Sequence, residues 1–185
     1  MKFTETEIPG VWIIEPVRFG DDRGYFMESF KLEEFDKHIP GVKFVQENES
    51  MSHRGVLRGL HLQRGAASQA KLVRVSRGTV YDCVVDVRPG SATFGKHLLV
   101  ELSAENARQL FVPRGFAHGF IVVSDTAQFQ YKVDNKYAPE TELSILYNHP
   151  ALGIKWPDPG CEFQLSPKDL KGLSLADARK LIEEA

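Results

Sequence analysis

The stretch between Gly78 and Gly90 constrains this chain most. Val80, Asp82, Val84 and Asp86 fall on one side of it, and Tyr81, Cys83, Val85 and Val87 on the other. A period of two over eight residues is the mark of an extended strand, and Gly78 and Pro89-Gly90 confine it to one short element. Residues 10–15, 23–30, 42–52, 56–63, 71–76, 97–102, 109–112, 116–123 and 127–133 read the same way. Many short strands parted by turn signals favour a sandwich or a closed barrel. Helical periodicity is confined to two places. Residues 31–39 form a short helix candidate stopped by Pro40-Gly41. Near the C-terminus Ser174 precedes Leu175, Ala178, Leu181 and Ile182 on one helical face, with Asp177 where a capping box usually has Glu or Gln. No repeat or linker interrupts the pattern, so residues 1–185 read as one domain.

Composition narrows the function classes. A formal net charge of −2 gives no electrostatic footprint for nucleic acid or a membrane surface. No apolar run has the length of a membrane span, and the first seven residues lack the apolar core of a secretory signal, which implies a cytoplasmic protein. Two isolated cysteines, Cys83 and Cys161, suggest neither a disulfide framework nor a zinc site.

Against this background the segment from Gly55 to His61 is anomalous. It sets Arg58 and His61 in an apolar strand, with Lys71 ten residues on. Buried charge is costly unless paired, so an anionic ligand is the natural partner and the imidazole is placed for proton chemistry. In a regular strand Arg58 and His61 would point to opposite faces, so a bulge or twist at Gly59 is needed to bring them together.

The run Pro113-Arg114-Gly115-Phe116-Ala117-His118 resembles the second half-motif of the cupin superfamily, whose histidine often binds a metal. The first half-motif is incomplete: where cupins have His-x-His this chain has His61-Leu62-Gln63. An incomplete ligand set argues for no metal and for His118 as a ligand-contacting histidine.

Taken together, runs 22–28, 46–48, 55–61, 69–73, 112–120, 131–132 and 165–169 resemble the dTDP-4-dehydrorhamnose 3,5-epimerase family over most of the chain. The resemblance implies a mainly β fold, a cupin-type double-sheeted barrel or jelly roll with short peripheral helices and a C-terminal helix. It implies inversion of C3 and C5 of a 4-keto-6-deoxyhexose on dTDP, with no cofactor. By the same resemblance His61 is the base, Tyr131 the acid, Asp169 the partner that orients His61, and Lys71 the cation at the enolate oxygen. Arg23 and Arg58 then contact pyrophosphate. Gln46, Asn48 and Glu28 make polar contacts, Phe26 and Tyr137 stack on thymine, and Glu47, His118, Glu142 and Lys168 complete the substrate contacts. The family is commonly a homodimer, with the region 23–30 as the expected exchanged element. One stretch departs from the family's Glu-x-Gly-Ile-x-Trp followed by Asp-Pro: here Ser144, Tyr147 and His149 stand at the Gly, Trp and Asp positions.

Overall fold

The computed structural model describes residues 1–185, with thirteen strands and two α-helices. Six strands form one sheet in the order β1 (Lys2–Glu5), β2 (Trp12–Glu15), β10 (Gln109–Val112), β7 (Lys71–Arg77), β12 (Thr126–Val133) and β5 (Gln46–His53). Five form a second sheet in the order β13 (Glu142–Ser144), β6 (Leu57–Gln63), β11 (Phe116–Val122), β8 (Thr79–Asp86) and β9 (His97–Ser103). A separate hairpin joins β3 (Arg18–Asp21) to β4 (Gly24–Met27). All ladders are antiparallel, as the alternating apolar and polar pattern requires.

The alternation in β8 shows how the layers arise. Val80 and Val84 join the core between the sheets, with Val73 and Val75 of β7, Leu110 of β10, Phe120 of β11 and Phe129 of β12. Cys83 and Val85, with Val87 just beyond the strand, face the other way. They pack with Leu60, Leu62 and Ala178 beneath the C-terminal helix α2 (Leu175–Glu183). The Ser174 hydroxyl caps that helix by accepting from the Asp177 N–H. On the outer face of the six-stranded sheet, helix α1 (Leu32–His38) inserts Phe35 among Phe30, Phe44 and Phe111. Full burial of one such ring contributes about 1.5–3 kcal/mol. Glu33 and Glu34 in its first turn and Lys37 and His38 in its last complement the helix dipole.

The elements differ from the sequence pattern in four places. β13 is a three-residue strand that the pattern does not reveal, formed against β6. β1 and β3 are strands that the pattern does not reveal. Each has four mostly polar residues and exists because β2 and β4 pair with it. The strand expected from residue 42 begins at Gln46, because Phe44 turns into the aromatic cluster around Phe35.

The strand β6 carries the decisive irregularity. His61 pairs with His118 and Arg58 with Phe120, so three steps along β6 match two along β11. This bulge places Arg58 and His61 on the same cavity, against the simple strand rule. Gly59 adopts φ +129°, and a Cβ there would lie 2.5 Å from the Gly119 Cα and 2.9 Å from the His118 carbonyl oxygen. Gly59→Ala is therefore expected to destabilise the fold by roughly 2–4 kcal/mol, measured by urea unfolding.

Candidate active site

Between the sheets lies a cavity of about 570 Å³, the size of a small-molecule site. β6 contributes Arg58 and His61, β7 Lys71, β11 His118 and β12 Tyr131, while the segment before α2 contributes Ser166, Lys168 and Asp169. That late segment reaches β6 because the Leu57 N–H donates to the Gln164 carbonyl (3.0 Å) and the Gln164 N–H to the Gly55 carbonyl (2.8 Å). A short 3-10 turn at Asp169–Lys171 then directs the carboxylate inward.

His61 Nε2 lies 2.6 Å from Asp169 Oδ1. The other carboxylate oxygen, Oδ2, accepts from the Ser166 hydroxyl at 2.6 Å. Asp169 is only 3% exposed. Burial opposes its charge, yet the Ser166 hydroxyl, the His61 ring and the Gly59 N–H together hold its carboxyl below the usual range. An ionised carboxylate only accepts, so the ring hydrogen of His61 sits on Nε2 and leaves Nδ1 as the basic atom. Burial lowers the His61 pKa, and Lys168 and Lys71 add to that, while Asp169 partly restores it. His61 is thus a neutral base at neutral pH.

Tyr131 has the opposite disposition. Burial raises its phenol, as Glu142 also does, against the lowering influence of Arg58 and Asn48. It keeps its proton and can give it. Lys71 makes no salt bridge; desolvation lowers its ammonium to about 8, while the charges of Asp82 and Glu142 hold it up. A partly dehydrated cation without a bonded partner is suited to a developing oxyanion. The Arg58 Nε donates to the Ser52 hydroxyl at 3.1 Å, which leaves its terminal nitrogens for a ligand. His118 directs Nε2 to both oxygens of Asp82, each at 2.9 Å.

The remaining expected residues lie around or away from this cavity. Glu142 accepts from Tyr137 at 2.7 Å and pairs with Lys168, forming a cluster beside the cavity. The altered residues around it leave that cluster intact; Tyr147 instead packs edge-on against Phe163, and its carbonyl accepts from the Trp156 indole. Asn48 pairs across the ladder with Tyr131 and accepts from Gln46 at 2.7 Å. Glu47 pairs with Lys132 at 2.8 Å, and neither lines the cavity. Arg23, Phe26 and Glu28 are not brought to the cavity within one chain: Arg23 and Phe26 sit on the exposed β3–β4 hairpin, where Arg23 is held by Asp21. Glu49, Ser50, Gln164 and Ser166, which line the cavity, and Asp82 behind it escaped the sequence reading. Asp82 had a legible signal, since it alternates with Val80 and Val84 on a core face.

A sequence model described as dTDP-4-dehydrorhamnose 3,5-epimerase matches residues 5–177. The chain belongs to that family. It is 50% identical over 183 residues to the dTDP-4-dehydrorhamnose 3,5-epimerase of Escherichia coli, covering 98% of both chains. The crystal structure of a dTDP-6-deoxy-D-glucose-3,5-epimerase from Legionella pneumophila, in complex with dTDP-4-keto-L-rhamnose, superposes with a TM-score of 0.93 at 47% identity. That match covers 98% of this chain and 96% of the other. A 3'-monoepimerase from Streptomyces bikiniensis in complex with dTDP-quinovose superposes with a TM-score of 0.89 at 38% identity, over 95% and 89% of the two chains. The two sheets are accordingly the cupin-like architecture of these epimerases.

These ionisations predict a bell-shaped pH dependence of kcat/KM. Lowering pH inactivates by protonating His61, and because its pKa is depressed this limb lies below 6.5. Raising pH removes the Lys71 charge and gives an alkaline limb near 8. Asp169→Asn removes an influence that raises the His61 pKa. It is expected to move the acid limb further down while lowering kcat on the order of 10²- to 10⁴-fold, read from initial rates across pH.

Proposed function

We propose that the chain inverts C3 and C5 of dTDP-4-dehydro-6-deoxy-D-glucose to give dTDP-4-dehydro-L-rhamnose, its 185 residues acting as one cytoplasmic domain. Both carbons are α to the C4 ketone, so removal of either proton gives an enolate. His61 Nδ1 takes the carbon proton, the Lys71 ammonium stabilises the charge that builds on the C4 oxygen, and Tyr131 returns a proton from the opposite face. Asp169 holds the ring in the required tautomer. Arg58 takes the pyrophosphate, and Lys168, Glu142 and Tyr137 form the polar rim. The observation that carries this reading is the convergence of a neutral imidazole, a protonated phenol and an unpaired ammonium on one cavity.

The site draws on a second copy of the chain. Phe19, Tyr25 and Phe26 are each more than half exposed on the β3–β4 hairpin, an apolar surface on which only Tyr25 has a ring partner within the chain, Arg18. A homodimer in which this hairpin brings Arg23, Phe26 and Glu28 to the neighbouring cavity accounts for that exposure. Light scattering at working concentration is expected to give twice the chain mass, and a monomer overturns this part of the reading.

The reaction is tested by incubating the protein with dTDP-4-keto-6-deoxyglucose in heavy water and following deuterium by NMR. Incorporation at both C3 and C5 is expected. Incorporation at one carbon alone would assign a monoepimerase instead, and at neither would remove the catalytic reading. His61→Ala should abolish exchange while retaining dTDP binding, and Tyr131→Phe should retain exchange but impair inversion.

A further inference from the structure

We propose that Asp82 is a positioning residue of this site: its buried carboxylate fixes the His118 ring and supplies the counter-charge of the Lys71 ammonium, so that both present a prebuilt cationic and hydrogen-bonding wall to the substrate oxygen. The inference rests on the epimerase reading and deepens it. Asp82 itself does not line the cavity; it acts through two residues that do.

Three observations converge on it. Asp82 is fully buried, at 0% exposure, on the face of β8 that otherwise carries Val80 and Val84 into the inter-sheet core. A carboxylate there is costly and has no packing role that a valine would not fill better. Both of its oxygens lie 2.9 Å from His118 Nε2, so that nitrogen carries the ring hydrogen and the orientation of the imidazole is set from behind. His118 in turn pairs across the ladder with His61, which places it beside the base.

Lys71 is the second residue addressed. It has no salt bridge, and among the groups around it the charge of Asp82 is the largest influence favouring its ammonium, ahead of Glu142. The other titratable groups lining the cavity are Glu49 on β5, Arg58 and His61 on β6, Tyr131 on β12 and Lys168 and Asp169 on the late segment. Asp169 is engaged by His61 and Ser166, and Glu142 by Tyr137 and Lys168. Glu49 is exposed and accepts from Gln128 and Gln130. Asp82 is therefore the buried carboxylate, free of any lysine or arginine partner, that can stabilise Lys71. No proton is transferred to or from it during turnover.

The test compares wild type with Asp82→Asn, which keeps the shape and an oxygen acceptor for His118 but removes the charge. Lysines are methylated with ¹³C, Lys71 is assigned by its absence in Lys71→Arg, and its resonance is titrated without substrate. The wild-type midpoint is expected near 8. In Asp82→Asn it should fall by about one unit, which takes the charged fraction at pH 8 from about half to about one tenth. The alkaline limb of turnover should move with it, giving about fivefold lower activity at pH 8 and a much smaller loss at pH 6.5. Asp82→Glu should restore the midpoint. An unchanged midpoint in Asp82→Asn, or an equal loss of turnover at every pH, overturns the inference. If Asp82→Asn does not fold, a wild-type Lys71 midpoint below 7 overturns it as well. Failure of the wild type to exchange substrate protons would instead remove the epimerase reading, because the titration needs no substrate.

Discussion

The 2.6 Å contact between His61 and Asp169 is the constraint on which the rest of the structure depends. Its partners are 108 residues apart, one in the middle of a sheet and one in a turn near the C-terminus. The fold must therefore return its late segment to β6, and the paired bonds between Gln164, Leu57 and Gly55 perform that return. The fold must also turn the imidazole inward beside Arg58, which the regular pleat forbids. The bulge at Gly59, closely seated against Gly119, resolves that conflict. An acid–base centre and a defect in a β-ladder are thus one requirement seen at two scales.

Desolvation then sorts three side chains into three useful states. The same dry space between two sheets lowers the imidazole, raises the phenol and lowers the ammonium, because in each case burial disfavours the charged form. His61 becomes available as a base and Tyr131 as an acid without separate devices for each. Lys71 is the one for which burial works against function, since an oxyanion needs its charge. The carboxylates of Asp82 and Glu142 offset that effect, and Asp82 is the one without another cation.

Much of the fold was legible in the sequence because a half-buried antiparallel strand writes its burial directly as a period of two. Val80 and Val84 went to one cluster and Cys83, Val85 and Val87 to the other, as the alternation required, and the helix after Ser174 buried the face carrying Ala178. β1 and β3 were not legible, since short polar strands owe their existence to a partner rather than to their own residues. The site was less legible than the fold. Spacing singled out Arg58, His61 and Lys71 as misplaced charge, but nothing local links His61 to Asp169 or Ser166; the resemblance to the family supplied Asp169, and only the three-dimensional structure revealed Ser166. Nor does spacing say that Glu47 pairs with Lys132 and does not line the cavity, or that Arg23 and Phe26 lie apart from it within one chain.

The chemistry of the site turns most directly on the protonation of one ring. Two-dimensional ¹⁵N NMR of histidine-labelled protein, with His61 assigned by substitution, reports both ring nitrogens. At pH 7 the structure predicts a neutral imidazole with hydrogen on Nε2, facing Asp169, and a bare Nδ1. An imidazolium at that pH, or the opposite tautomer, would contradict it.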